Sequence, residues 1–165
     1  MSSGYDAINL PLSSPLIVKG EEGPATGGQE FSRENPADTR QVATIAAQGT
    51  LEDIRAAIDA AREAFDSNVN NWIYNYKLRE QVLFQTAQLI RENAARLAQV
   101  VSLEVGMPMR QAVIHVSAAA DIFEFYAGLA GKIYGESFTL PNGSMINLVK
   151  EPIGVVGLIT PWNFP

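Results

Sequence analysis

An apolar stretch near the carboxyl end of the sequence most constrains the fold of this chain. Residues 154–159, Gly-Val-Val-Gly-Leu-Ile, are continuously apolar and rich in β-branched side chains. A run of this kind, without polar alternation, is typical of a strand buried on both faces, as in a parallel sheet. Pro161 then ends the strand, because proline has no N–H to donate to a ladder. The sequence therefore predicts an α/β fold with a central strand over 154–159.

The residues that follow this strand are candidates for a binding site. Trp162 and Asn163 come directly after Pro161, and open α/β sheets bind ligands outside the carboxyl ends of their strands. Gly154 and Gly157 lack the G-x-G-x-x-G spacing of a phosphate-binding turn, so we expect close backbone packing at both. Because a parallel strand needs a crossover helix and a partner strand, we expect the chain to be the amino-terminal part of a longer protein.

Hydrophobic periodicity predicts three helices in the middle of the chain. The first begins at Thr50, with Asp53 completing a capping box, and ends near 66–68. The second runs from about Lys77 to Glu104 and stops at Gly106, and the third opens at Pro108. The predicted buried faces are, in order, Leu51, Ile54, Ile58, Ala61 and Phe65; Leu78, Val82, Leu89, Leu97 and Val101; and Ala112, Val113, Val116, Ala120, Phe123 and Ala127.

The amino-terminal region is predicted to be a tail followed by small hairpins. Residues 1–16 are rich in Ser, Asn and Pro and indicate a flexible tail. Residues 17–20 are predicted to form one arm of a short hairpin. Strands over 30–32 and 42–45 are expected around a turn at 35–38, Asn-Pro-Ala-Asp.

A further hairpin is predicted after the third helix, where the period changes from 3.6 to 2. Asn142-Gly143 separates two β-like arms, 137–140 and 145–149. Because Asn and Gly tolerate positive φ, the pair predicts a type I′ turn.

The closing motif gives the clearest resemblance to a known family. Glu151-Pro-Ile-Gly-Val-Val-Gly157, followed by Pro161-Trp-Asn-Phe-Pro165, resembles the aldehyde dehydrogenase superfamily. Weaker matching points are Glu104-Val-Gly-Met-Pro108 and Phe125-Tyr-Ala-Gly128 with Lys132. The resemblance covers roughly residues 17–165.

The resemblance implies a fold and a domain organisation. The expected fold is the amino-terminal part of a Rossmann-type domain, with small β-hairpins, a three-helix layer, an association hairpin and a first parallel strand. Residues 17–136 and 151–165 would form an incomplete dinucleotide-binding domain. Residues 137–150 would be the hairpin of an oligomerisation arm, and the catalytic domain would be absent.

The resemblance also implies the chemistry of the site. The Asn163 amide would form half of an oxyanion hole, and Ile159, Thr160, Pro161 and Trp162 would line the cofactor site for NAD or NADP. The substrate would be an aldehyde, oxidised to a carboxylic acid through a cysteine thiohemiacetal and thioester. The residues alone leave simpler interpretations open: a turn at Asn163 and a strand cap with a buried Trp162. A homo-oligomer would form through the 137–149 hairpin.

The absence of cysteine limits what these residues can do. It excludes disulfides, thiolate metal sites and a cysteine nucleophile within the sequence. We therefore expect the nucleophile to lie elsewhere in the protein and the 165-residue chain alone to be inactive. A single histidine, His115, is too little for a metal cluster. We expect His115 to pack against neighbours and Glu104 to have a structural role.

Charge and hydropathy exclude other classes of protein. The sequence holds 12 basic and 18 acidic residues, a net charge of −6, with no basic patch, so binding to nucleic acid is disfavoured. We find no apolar run near 18 residues, which predicts no membrane span. The amino terminus lacks a signal pattern, so the expected location is cytoplasmic.

Two alternatives to the enzyme remain open from the sequence. A non-catalytic short homologue would act by associating with full-length subunits through the 137–149 hairpin. A free-standing dinucleotide-binding module is the weaker alternative, because the phosphate-binding elements are missing.

Overall fold

The structure, a computed structural model, describes residues 8–164. Within these residues, four helices and seven strands make a mixed α/β arrangement. The helices are α1 (Leu51–Ser67), α2 (Tyr76–Glu92), α3 (Ala94–Val105) and α4 (Met109–Leu129), with a 3₁₀ turn at Val69–Asn71. The strands are β1 (Leu12–Ser14), β2 (Leu16–Val18), β3 (Glu21–Gly23), β4 (Glu30–Asn35), β5 (Asp38–Ala47), β6 (Glu136–Thr139) and β7 (Met145–Leu148).

The core lies where α4 packs against α2 and α3. Its centre is Ala98 of α3 with Ala112 and Val116 of α4. Small side chains at the contact let helix axes approach closely. Partly buried residues complete this core: Ile90, Ala94, Val101, Met107 and Met109. The α4 face was predicted correctly at its small positions, since Ala112, Val116, Ala120 and Ala127 are all buried.

The predicted single helix from Lys77 to Glu104 is two helices. Asn93 interrupts it with φ −100° and ψ 9°, ending α2 and preceding α3. The Asn93 side-chain amide donates to the Leu89 carbonyl at 2.8 Å, which competes with continued helical bonding. The break changes which residues face inward, because the buried positions are Ala87 and Ala98, whereas Val82, Leu89 and Leu97 of the expected face are exposed.

The start of α1 is as predicted, but its apolar face is not buried. The Thr50 side chain accepts from the Asp53 N–H, and the Asp53 carboxylate accepts from the Thr50 N–H at 2.7 Å, which completes the capping box. α1 has no buried residue, and Leu51 is 62% exposed. Its contacts are mainly with β2, and Ile54 and Ile58 are also exposed within residues 8–164, whereas Phe65 is half-buried.

Asp53 also ties α1 to the loop after β3. Thr26 donates to this carboxylate from its hydroxyl at 2.6 Å and from its backbone N–H at 3.0 Å. The Thr26 hydroxyl, followed by the donors of Thr50, holds the pKa of Asp53 well below its usual range. The hydrogen bonds to the ionised Asp53 carboxylate stabilise the folded state fully at pH values above the ordinary carboxyl pKa. This stabilisation is lost as the pH falls through the lowered pKa of Asp53.

Part of the predicted tail belongs to a sheet. β1, within the expected 1–16 tail, pairs in parallel with β5, with Leu12 opposite Thr44. β5 also pairs antiparallel with β4, which gives the order β1-β5-β4. The predicted turn at 35–38 is confirmed, since Asn35 Oδ1 accepts from the Ala37 N–H at 3.0 Å. Residues 1–7 of the expected tail lie outside the described residues.

The hairpins predicted at 17–20 and at 137–149 both exist, but the one at 137–149 has a different turn type from the one expected. β2 and β3 pair around Lys19 and Gly20, whose φ angles of 56° and 82° match a type I′ turn. β6 and β7 pair around residues 140–144, where Gly143 has φ 85° and its N–H donates to the Leu140 carbonyl at 2.9 Å. This is a three-residue loop with a G1 bulge rather than type I′, because Pro141 fixes a negative φ in the first corner position.

The predicted strand over 154–159 is not formed. Residues 149–161 take no strand or helix conformation. A strand is defined by the ladder it makes with a neighbour, and no part of residues 8–164 pairs with this segment. Ile159 is fully exposed, because no neighbouring strand among the described residues covers this apolar run.

One helix departs from the expectation that no apolar run approaches membrane length. α4 is long and apolar enough to cross a bilayer by length and composition alone. The core helix of a globular protein meets the same criterion, and α4 buries its small residues against α2 and α3. Its composition therefore gives only weak evidence for a membrane span.

Residues around Gly106 join the helical layer to the β4–β5 hairpin. Gly106 ends α3 with φ 70° and lies against Pro36 of the 35–38 turn. Beside it, the buried Thr44 hydroxyl donates to Glu104 Oε1 at 2.5 Å. Glu104 therefore has the structural role expected for it.

We expect Gly106→Ala to destabilise the chain. The new Cβ would lie 3.2 Å from the Pro36 Cβ and would force an L-residue to φ 70°, which costs about 1–2 kcal/mol. Urea unfolding followed by circular dichroism measures this change. Gly128→Ala is the matched control, because Gly128 lies inside α4 with open space around it. If both substitutions lower the stability equally, the Gly106 contact with Pro36 has no special role.

Candidate functional site

The candidate site is a turn near the carboxyl end of the described chain. The Phe164 N–H donates to the Pro161 carbonyl at 3.3 Å, so Trp162 and Asn163 occupy the two corner positions. Corner residues of a turn project away from the chain that carries them. The turn therefore presents an indole and a carboxamide side by side.

All five candidate residues lie together on one exposed segment. Ile159, Thr160, Pro161, Trp162 and Asn163 are each exposed, and Trp162 is 83% exposed. The alternative of a strand cap with a buried tryptophan is therefore wrong. The Asn163 carboxamide is open to solvent, with N–H groups that can donate to an incoming oxygen.

Gly154 gives the segment its first point of attachment. Its φ is 100°, and a Cβ at this position would meet Arg62 Nη1 at 3.6 Å and the Phe65 ring at 3.7 Å. These contacts lie on α1, where Arg62 also stacks over Phe65 with 5.0 Å to the ring centroid. The expected close packing therefore holds at Gly154. It does not hold at Gly157, where an added methyl group would meet no atom within 4 Å among the residues described.

The second point of attachment is a stack between two aromatic rings. The His115 imidazole of α4 and the Phe164 ring have centroids 4.9 Å apart and planes inclined by 13°. His115 is half-buried, which agrees with the expectation that it packs against a neighbour. The turn that carries Asn163 is thus fixed to the helical layer at its last residue.

A shallow groove of about 420 Å³ lies beside Gly154. Its walls come from α1 and the 3₁₀ turn, and none of the five candidate residues lines it. Its lining is mostly apolar and includes Ala61, Phe65, Val69, Trp72 and Ile73. The groove therefore forms part of the attachment of the segment rather than of the candidate site.

Residues 8–164 contain no group of three or more His, Asp or Glu side chains placed to hold a metal ion. The turn itself offers a neutral hydrogen-bond donor, the Asn163 carboxamide, beside the exposed Trp162 ring. Such a donor stabilises negative charge that develops on a substrate oxygen.

Comparison with known proteins identifies the family. The model of the aldehyde dehydrogenase family matches residues 24–165. The chain belongs to this family. Betaine aldehyde dehydrogenase of Bacillus subtilis (strain 168) is 36% identical over 155 residues, which cover 93% of this chain and 31% of that protein. An NADP/NAD-dependent aldehyde dehydrogenase of Escherichia coli (strain K12) is 32% identical, over 96% of this chain and 32% of that protein.

Solved structures of family members share the fold. The NAD-dependent aldehyde dehydrogenase from Sinorhizobium meliloti superimposes with a TM-score of 0.88 at 32% identity, over 94% of this chain and 31% of that one. The NAD⁺ complex of the Bacillus cereus enzyme gives a TM-score of 0.86 at 34% identity, over 93% and 31%. The chain thus spans about a third of the length of the proteins that it matches. The predicted α/β fold and family are confirmed.

Sequence reasoning missed the contacts that fix the segment in space. His115 and Phe164 are 49 positions apart, and Gly154 meets side chains of α1 that lie about 90 positions earlier. Periodicity and motif spacing report only local neighbours, so neither could reveal these pairs. The glycine at 154 was the one local signal, because a positive φ favours that residue.

We expect Gly154→Ala to release the segment from α1, whereas Gly157→Ala leaves it in place. Of these two glycines, only Gly154 has a positive φ, and holding an L-residue in such a conformation costs about 1–3 kcal/mol. The exposed segment avoids this cost by moving rather than by unfolding the helical layer. Limited chymotrypsin digestion after Trp162 should therefore be faster in Gly154→Ala at an unchanged melting temperature. Equal digestion of the two variants would contradict the assignment.

Proposed function

We propose that this chain supplies the oxyanion donor and part of the cofactor wall of an NAD(P)-dependent aldehyde dehydrogenase, which oxidises an aldehyde to a carboxylic acid. Family membership supports the reaction class. The observation that carries the site assignment is the Pro161–Phe164 turn, which exposes the Asn163 carboxamide and fixes its neighbour to α4.

The role of Asn163 follows from the charge changes in the reaction. Attack of a thiolate on the aldehyde carbon converts the carbonyl oxygen into an alkoxide, and loss of hydride from that carbon leaves a thioester, which water hydrolyses to the acid. The Asn163 N–H groups would donate to the alkoxide as its charge develops. Asn suits this role because its amide donates without titrating. Since the chain has no cysteine, the thiolate comes from other residues of the enzyme.

The residues before Asn163 suit a dinucleotide. The exposed Thr160 hydroxyl can bond to a ribose hydroxyl, and the exposed faces of Ile159, Pro161 and Trp162 can contact a planar ring. The cofactor, when bound, accepts the hydride. The compared enzymes include NAD-dependent and NADP/NAD-dependent members, so the proposal covers both cofactors.

The β6–β7 hairpin is the proposed association element. Register places Phe138 opposite Ile146 and Glu136 opposite Leu148, so three of these four side chains make one apolar face. Phe138 and Leu148 are exposed. Such a face and its open edges favour pairing with another chain. We propose a homo-oligomer formed through this hairpin and, as the compartment, the cytosol.

We expect Asn163→Ala to slow the chemical steps of the complete enzyme. Loss of one oxyanion donor lowers kcat by about 10²–10³-fold, or ~2.7–4 kcal/mol. Cofactor affinity should change little, because the donor acts on charge that forms in the transition state. Pre-steady-state measurement of hydride transfer is the test, since slow cofactor release can hide a slower chemical step.

Asn163→Asp serves as the matched variant of similar shape. It should be at least as harmful, because it places a carboxylate beside a developing alkoxide. If Asn163→Ala keeps hydride transfer within about twofold (~0.4 kcal/mol), Asn163 is only a turn residue and the site assignment is wrong. The isolated chain provides the blank, with no aldehyde oxidation expected.

We expect the isolated chain to self-associate at tens of micromolar, in the range where exposed edges aggregate. The substitution Asn147→Pro should weaken this association. The Leu140–Ser144 pair is hydrogen-bonded, and alternation along the ladder then directs the Asn147 N–H outward. Proline removes that donor from the open edge, whereas Asn147→Ala keeps it. Sedimentation velocity distinguishes the variants. A monomeric parent chain, or equal association of the two variants, would contradict the edge-pairing proposal.

A further inference from the structure

The attachment of the Asn163 turn to α4 depends on one imidazole. Phe164 is the residue next to Asn163, and its N–H closes the turn on Pro161. Its ring stacks on His115 in a nearly parallel arrangement, with centroids 4.9 Å apart. Stacks of this kind stabilise an aromatic pair beyond the area that it buries. The position of the turn relative to the helical layer is therefore linked to the side chain at 115.

The His115 ring stands on a rigid part of the molecule. The next residue, Val116, and Ala112 one turn earlier are both buried where α4 meets α3. Side chains held by packed helices locate a partner more accurately than side chains on loops. The turn residues, in contrast, are exposed, so the local backbone alone would leave them free to move. The stack therefore holds the turn in a fixed position relative to α4.

We propose that His115 is a positioning residue, which acts through Phe164 to place the Asn163 carboxamide. This inference rests on the proposed role of Asn163 as oxyanion donor. His115 does not need to touch the substrate or to exchange a proton for this purpose. The role requires a flat ring at position 115, so His115→Phe should preserve the stack and His115→Leu should abolish it.

The first experiment measures order in the turn of the 165-residue chain. Backbone ¹⁵N order parameters of Asn163 and Phe164 should fall from about 0.85 towards 0.6, the range of flexible backbone, in His115→Leu. His115→Phe should keep the parent values, and Phe164→Leu should reproduce the loss without touching the helix. Ser117→Leu, which adds the same side chain at an exposed position of α4, is the matched control. The melting temperature should be the same in all variants.

Two results would overturn the positioning role. One is an unchanged order parameter at Asn163 in both His115→Leu and Phe164→Leu. The other is a His115→Phe variant as mobile as His115→Leu, because the stack would then not be the cause. If His115→Leu melts at a lower temperature, Phe164→Leu decides the outcome, since Phe164 lies outside the helical core.

The second experiment measures the catalytic consequence in the complete enzyme. His115→Leu should slow hydride transfer by about two- to tenfold, the effect of one aromatic pair, at unchanged dissociation constant for the cofactor. His115→Phe should restore the rate. If Asn163→Ala leaves the rate unchanged, the proposed function fails while the loss of order still stands. If Asn163→Ala slows the enzyme and His115→Leu does not, the positioning role fails alone.

Discussion

Close packing of α4 on its two neighbouring helices is the interaction on which the rest of the structure depends. The contact is made by small side chains, with Ala98 against Ala112 and Val116, and close approach of helices requires side chains of that size. α4 carries the imidazole that holds the terminal turn, and the short segment 130–135 joins it to the β6–β7 hairpin. A shift of this helix would move the candidate site and the proposed association hairpin together.

Other contacts attach the hairpins, α1 and the terminal segment to one another and to this helical layer. Gly106 and Glu104, at the end of α3, hold the β4–β5 hairpin through Pro36 and Thr44. The Asp53 carboxylate joins α1 to the loop after β3. The terminal segment is then attached at two places, on α1 and on α4, and is exposed between them. The site residues are thus held by their flanks, which leaves their side chains open to ligands.

Local patterns predicted those elements whose stability is local. The capping box at Thr50 starts α1, and the Asn-Pro-Ala turn connects β4 to β5, because both signals act within a few residues. Local patterns failed where a side chain competes with the helix, as at Asn93, or where two signals conflict. At Pro141-Asn142-Gly143 the fixed φ of proline overrode the preference of Asn-Gly for a type I′ turn.

The sequence by itself determined the family, the hairpins, the start of α1 and a turn at Asn163, because motifs, caps and turn residues are short-range signals. Only the tertiary structure decided which faces are covered. It left Leu51, Ile54 and Ile58 of the α1 stripe exposed and the 154–159 run without a pairing strand among residues 8–164, and it brought His115 onto Phe164. Burial and long-range stacking depend on which surfaces meet in space, and a one-dimensional pattern carries no record of that.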